Sequence, residues 1–267
     1  MARTTWVLGN WKQNLLREPA RNLAAAIAEG LSAARGEVQD ERLRVGVAPT
    51  FLTLDTVAPY TGEAAIQLRL LAQDVAAQES GAFTGEVGPA MLREAGVRAA
   101  IIGHSERRAH FGDHDTLVAA KVHAALAGDL DVVLCVGETL AQRDEGEHEA
   151  VVISQLSAAL GGIQDPAMRA RVVVAYEPIW AIGTGRTATP EQASAMHGVI
   201  RSWLASAGLG ADRSVLYGGS VKPNNAADLL AAGDIDGFLV GGASLDARSL
   251  LDIVSAAAAH AAANSGS

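Results

Sequence analysis

Short apolar runs alternate with longer amphipathic ones along the whole chain. Runs rich in β-branched and aliphatic residues predict strands at 5–8, 44–48, 66–71, 99–102, 131–136, 171–175, 214–217 and 237–240. Apolar positions recurring at helical spacing predict helices at 19–34, 52–60, 89–95, 116–126, 148–160, 190–207, 225–232 and 247–261. Strand and helix alternate throughout, which implies parallel strands joined by right-handed crossovers. Eight such units in about 250 residues fit a closed α/β barrel, (β/α)8, better than an open doubly wound sheet. A length of 267 residues alone would also allow two smaller domains, but no internal repeat or low-complexity linker divides the chain. The expected layout is a single-domain barrel over 1–262, with a frayed C-terminal tail at 263–267.

One stretch, VVVAYEPIWAIGTGRT at 172–187, combines a buried strand, a carboxylate and a glycine-hinged loop. Pro178 lacks an N–H and holds Glu177 to extended conformations, so the carboxylate is presented at a strand end. The apolar residues Ile179, Trp180, Ala181 and Ile182 follow, bracketed by Pro178 and by Gly183 and Gly185. That pattern suits a segment that covers something and swings, although an ordinary strand-to-helix connection would read the same way. Thr189, Pro190 and Gln192 make a capping-box start for the next helix, and Gly208 is placed to end it. Gly183, Gly185 and Ala188 match GxGxxA, but the helix begins only at Pro190 and no acid follows at ribose distance, which argues against a dinucleotide fingerprint.

Charge narrows the partners. With 21 basic against 30 acidic residues the formal net charge is −9, which disfavours nucleic acid or an anionic membrane surface. No apolar run is long enough to cross a membrane and the N-terminus lacks a secretory pattern, so a soluble, cytoplasmic protein is expected. The single cysteine, Cys135, leaves no internal disulfide and reads as a packing residue. Only Lys12, Lys121 and Lys222 are lysine among the 21 basic residues. A lysine that persists against such a bias suggests a place sized for an ammonium and not for a guanidinium fork, chance being the alternative.

The predicted strand ends carry Asn10 and Lys12; Pro49; Gln73; His104 and Glu106; Cys135, Gly137 and Glu138; Glu177; Gly218, Gly219 and Ser220; and Gly241 and Gly242. In a barrel these ends meet on one face. A face with a lysine, a histidine, a carboxylate and glycine clusters after strands seven and eight can bind an anion and move protons, although each glycine pair alone could be a turn. His110 and His114 lack an evident third ligand, so no metal site is expected.

GNWKQN, GHSERR, CVGETL, AYEPIWAIGTGRTATPEQ, YGGSVKPNNA and DIDGFLVGGASL resemble, in order and spacing, the motifs of the triosephosphate isomerase family, over about residues 6–253. The resemblance implies the TIM barrel and a cofactor-free interconversion of dihydroxyacetone phosphate and glyceraldehyde 3-phosphate through an enediolate. By the same resemblance Glu177 is the carbon base, His104 the neutral ring that polarises the carbonyl, and Lys12 the cation that stabilises developing charge. Asn10 orients the oxygens and Glu106 holds Lys12 or His104 in place. Phosphate is met by main-chain N–H groups of Gly183, Ser220, Gly241 and Gly242. The lid comprises Pro178, Ile179, Trp180, Ala181, Ile182, Gly183, Thr184, Gly185, Arg186, Thr187 and Ala188. The long loop 73–88, with Gln73 and Thr84 as contacts, implies a homodimer; a self-packed loop is the alternative. Departures from the family pattern are Gln13 for methionine, Gly88 for serine, Asp113 for glutamate and Arg186 for lysine. Another sugar-phosphate barrel enzyme would lack the set Asn10, Lys12, His104 and Glu177, and a non-catalytic phosphate-binding barrel would be expected to have lost one of the four.

Overall fold

The computed structural model describes residues 3–34, 42–62, 67–182, 187–210 and 212–263. Its strands are β1 (Thr5–Asn10), β2 (Leu43–Ala48), β3 (Leu68–Ala72), β4 (Ala99–Ile102), β5 (Asp131–Val136), β6 (Val172–Tyr176), β7 (Val215–Tyr217) and β8 (Gly237–Val240). They pair in sequence order as parallel neighbours, and β8 returns to β1 to close the barrel. The ring is uneven: β5 and β6 share five register pairs from Val132↔Val172 to Val136↔Tyr176, whereas β7 and β8 share only Tyr217↔Phe238. Below that pair the Asp236 carboxylate accepts the Val215 N–H at 2.9 Å.

Alternation along the strands sorts their side chains into two cores. Leu8, Ala48, Leu71, Ile101, Val133, Cys135, Ala175, Leu216 and Leu239 fill the barrel interior. Val7, Val45, Leu70, Leu134, Val174 and Val240 point outward, under the helices. Those helices are α1 (Arg17–Ala34), α2 (Leu54–Val57), α3 (Pro89–Glu94), α4 (Ser105–His110), α5 (Asp115–Ala127), α6 (Leu140–Asp144), α7 (His148–Leu160), α8 (Pro166–Arg169), α9 (Pro190–Ser206), α10 (Ala226–Ala231) and α11 (Ala247–Ala263). The Thr189–Gln192 capping box is present at the start of α9, with Pro190 in its first turn.

The sequence pattern differs from the structure in a few places. The helix expected at 52–60 is broken into a 3-10 turn (Phe51–Thr53), α2 and a second 3-10 turn (Ala58–Tyr60), where Pro59 removes a donor. Helices α4, α6 and α8 were not anticipated; each spans less than two turns, too short to show a period. Ala263, expected to begin a frayed tail at 263–267, instead ends α11, and the rest of that tail, 264–267, lies outside the described residues, as do Ile66 and the lid residues Gly183, Thr184, Gly185 and Arg186. No helix among the described residues is long and apolar enough to cross a membrane.

Candidate active site

The C-terminal ends of the strands surround a cavity of about 660 Å³ lined by Asn10, Lys12, His104, Glu177, Ile182, Gly218, Gly219, Ser220, Gly241 and Gly242, among others. Each reactive side chain is fixed by a neighbour. Asn10 ends β1, and its carboxamide oxygen accepts the Lys12 N–H at 3.0 Å. Lys12 adopts a positive φ of 53°, rare for a residue with a side chain. Its Nζ lies 2.5 Å from Glu106 Oε1, whereas Glu106 Oε2 is 3.8 Å from the His104 ring, so Glu106 chiefly holds Lys12.

His104 caps α4: its Nδ1 accepts the Glu106 main-chain N–H at 3.2 Å. A nitrogen that faces a donor carries no proton, so the neutral ring keeps its hydrogen on Nε2, toward the cavity. Glu177, 2% exposed, places Oε1 at 2.9 Å from that Nε2, while Oε2 accepts the Ser105 N–H at 2.8 Å. Burial opposes charge on both groups, but each is outweighed by its partner. His104 is raised above its ordinary value by Glu177, and the Glu177 carboxyl is held below its own by His104, the Ser105 N–H and Lys12. Opposed influences thus meet at His104: burial, Lys12 and the Glu106 N–H favour the neutral ring, whereas the Glu177 carboxylate and, less strongly, the Glu106 carboxylate favour imidazolium.

The Glu177 main chain is tightly enclosed. Its N–H donates to Val136 O at 2.8 Å, and a Cβ on Gly137 would fall 1.7 Å from its carbonyl oxygen, so only glycine fits there. Pro178 is buried and is followed by a 3-10 turn, Ile179–Ala181. Fully buried Glu138 anchors this turn through one oxygen, Oε1. That oxygen accepts from Trp180 Nε1 at 2.8 Å, Tyr176 Oη at 3.0 Å and Arg143 at 3.1 Å. Ala188, at the far end of the expected lid, is buried.

Sequence reasoning placed Asn10, Lys12, His104, Glu177, Ser220, Gly241 and Gly242 on one face, and the structure brings them together. It did not single out Ser105, which lies inside GHSERR beside the histidine, or the anchoring role of Glu138. Gln73, expected at a subunit contact, directs its amide within its own chain, to Lys12 O at 2.8 Å and Ala48 O at 2.9 Å. Thr84 is exposed. Cys135 is buried in the barrel interior, where burial, and then the nearby Glu177, push its thiol well above the ordinary range, as suits an inert packing group. Among the described residues no group of His, Cys, Asp and Glu is arranged to hold a metal ion.

The triosephosphate isomerase family model matches residues 5–257. Curated triosephosphate isomerases are similar over nearly the whole chain. That of Roseiflexus sp. (strain RS-1) is 51% identical over 255 residues, covering 94% of this chain and 97% of its own. That of Delftia acidovorans is 48% identical over 252 residues, covering 94% and 98%, and that of Acinetobacter baumannii 44% over 255, covering 95% and 96%. With its barrel, its cavity and these relatives in agreement, the chain belongs to the triosephosphate isomerase family.

Proposed function

We propose that the chain interconverts dihydroxyacetone phosphate and D-glyceraldehyde 3-phosphate by a cofactor-free 1,2-proton shift. The observation that carries this reading is the convergence of Asn10, Lys12, His104 and Glu177 on one cavity that also holds Ser220, Gly241 and Gly242. Glu177 removes a proton from carbon, leaving an enediolate, and returns it to the neighbouring carbon. His104, neutral with its hydrogen on Nε2, polarises the carbonyl and relays protons between the two oxygens. A substrate oxygen at Nε2 must take the place now held by Glu177 Oε1. Displacing the carboxylate removes the stronger of the two influences that favour imidazolium and leaves burial, Lys12 and the Glu106 N–H to favour the neutral ring against the Glu106 carboxylate. Lys12 offsets the negative charge that develops on oxygen, and Asn10 orients the same atoms.

Main-chain N–H groups of Ser220, Gly241, Gly242 and Gly183 hold the phosphate, which lets a protein of net charge −9 bind a dianion locally. Closure of the lid from Pro178 to Ala188 then excludes water and strengthens those contacts; Glu138 is the group that Trp180 leaves or keeps as the lid moves. We further propose a cytoplasmic homodimer in which the arm carrying Thr84 docks on a second copy. Exposed Phe83 beside it, with exposed Leu16 and Phe111, supports an apolar contact. The test is the rate at which purified protein converts glyceraldehyde 3-phosphate without added metal or nucleotide. Rapid conversion is expected; a folded protein without conversion would refute the reading. Light scattering coupled to size exclusion checks the dimer.

A further inference from the structure

Of the three lysines, Lys12 and Lys222 line the cavity, whereas Lys121 lies in α5 with its side chain only 4% exposed. Its Nζ is 2.9 and 2.8 Å from the two carboxylate oxygens of Asp74 and 3.0 and 3.1 Å from the two of Asp113. Four oxygens around one ammonium leave no room for a planar fork, which accounts for lysine at this position. Arg107 completes the cluster, 2.9 Å from Asp74 and 3.0 Å from Asp113. Two cations and two carboxylates balance, and buried pairs of this kind define geometry more than they add stability.

The geometry they define lies one residue away in both directions. Asp74 directly follows Gln73, whose amide spans Lys12 O and Ala48 O. Arg107 directly follows Glu106, which holds the Lys12 ammonium. The cluster therefore ties together the two segments that grip Lys12, one by its main chain and one by its side chain. Lys12 needs such a grip, since a left-handed backbone in a residue with a side chain is intrinsically unfavourable. We propose that Gln73, held in register by the Lys121–Asp74–Asp113–Arg107 cluster, is a positioning residue for Lys12. The proposal rests on the role given to Lys12 above.

A double-mutant cycle tests it. Gln73→Met keeps the length of the side chain and removes its donors; kcat is expected to fall about tenfold or more, the scale usual for groups that orient a reacting one. Combined with Lys12→Met, the same change is expected to alter the residual rate by less than about twofold, because nothing remains to be positioned. An equal loss in both backgrounds, or an unchanged kcat in the single variant, overturns the proposal, since a merely structural role would act in both. Lys121→Met strands two buried carboxylates and would confound folding with positioning. Asp74→Asn is the second variant, expected to give a smaller loss that also vanishes in the Lys12→Met background. Normal turnover by Lys12→Met alone would instead remove the role of Lys12, so the two failures are distinguishable.

Discussion

Gly218 lines the cavity directly behind the proposed base, and Gly218→Ala is the sharpest test of how tightly that base is set. A Cβ there would lie 2.9 Å from Glu177 Cγ and 3.2 Å from Tyr176 O. Carbon atoms pack at about 3.5–4.0 Å, so the contact falls short by at least about 0.6 Å. The Glu177 main chain is pinned by the Val136 carbonyl and walled by Gly137, so most of the displacement falls on the carboxylate end. A misplacement of about 1 Å lowers rate on the order of 100-fold, so kcat is expected to drop between about 10- and 100-fold. Overpacking of this kind destabilises by about 1–3 kcal/mol, a fall of several degrees in Tm and not a loss of fold. The assay is kcat and KM for glyceraldehyde 3-phosphate, with the Kd of an unreactive phosphate analogue and a thermal scan. A kcat within twofold of the parent in a protein of intact fold would refute the displacement. A collapse of analogue affinity with the chemistry intact would mean that Gly218 serves the phosphate loop.

Lys12→Arg is expected to cut turnover by two orders of magnitude or more, because the fork overfills a place bounded by Glu106 and by Gly241, whose added Cβ would lie 3.4 Å from Lys12 Cε; near-normal turnover would sink this. Glu177→Gln keeps the shape but not the basicity, so kcat is expected to fall about 10²–10⁴-fold while a phosphate analogue still binds; titration calorimetry beside the rate assay separates the two. Buried His197, edge-on to Tyr176, is depressed to about 4 by burial, opposed by the Asp234 carbonyl. Its folded value lies below its unfolded one near 6.5, so its contribution is fully present above pH 6.5 and is lost as pH falls toward 4. The size is about 3 kcal/mol. A pH series of Tm for parent and His197→Gln is expected to converge in that window, and parallel curves would contradict it.

The strand pattern was legible because each strand is buried on both faces and so appears as an apolar run; the observed ends lie within two residues of those expected. The site was legible because its residues sit at strand ends inside long motifs. What escaped depended on distance along the chain. Glu138 gains its role from Tyr176 and Trp180, 38 and 42 residues on, and Gln73 from Lys12, 61 residues before it. No local pattern announces such pairs. Asp113, which in the sequence shows only as a shortened carboxylate in place of the family glutamate, proves to be 1% exposed and bound to Lys121 and Arg107. The scarcity of lysine pointed to an ammonium-sized place at Lys121 without revealing the four oxygens that make it.

The single register pair between β7 and β8 gives the barrel a built-in direction of yielding. The joint is tied at its lower end by Asp236 and Val215 and has one ladder pair, Tyr217↔Phe238, toward the top. A ring fastened so unevenly opens like a cuff from that edge, and amide exchange is expected to be fastest there among the strands. The segments rooted on either side of that joint are 218–220 and 241–242, so any such opening is expected to alter the part of the cavity proposed to hold the phosphate. Give is therefore expected at the proposed anion end of the cavity, and stiffness, through the five-pair β5–β6 joint, under the proposed base.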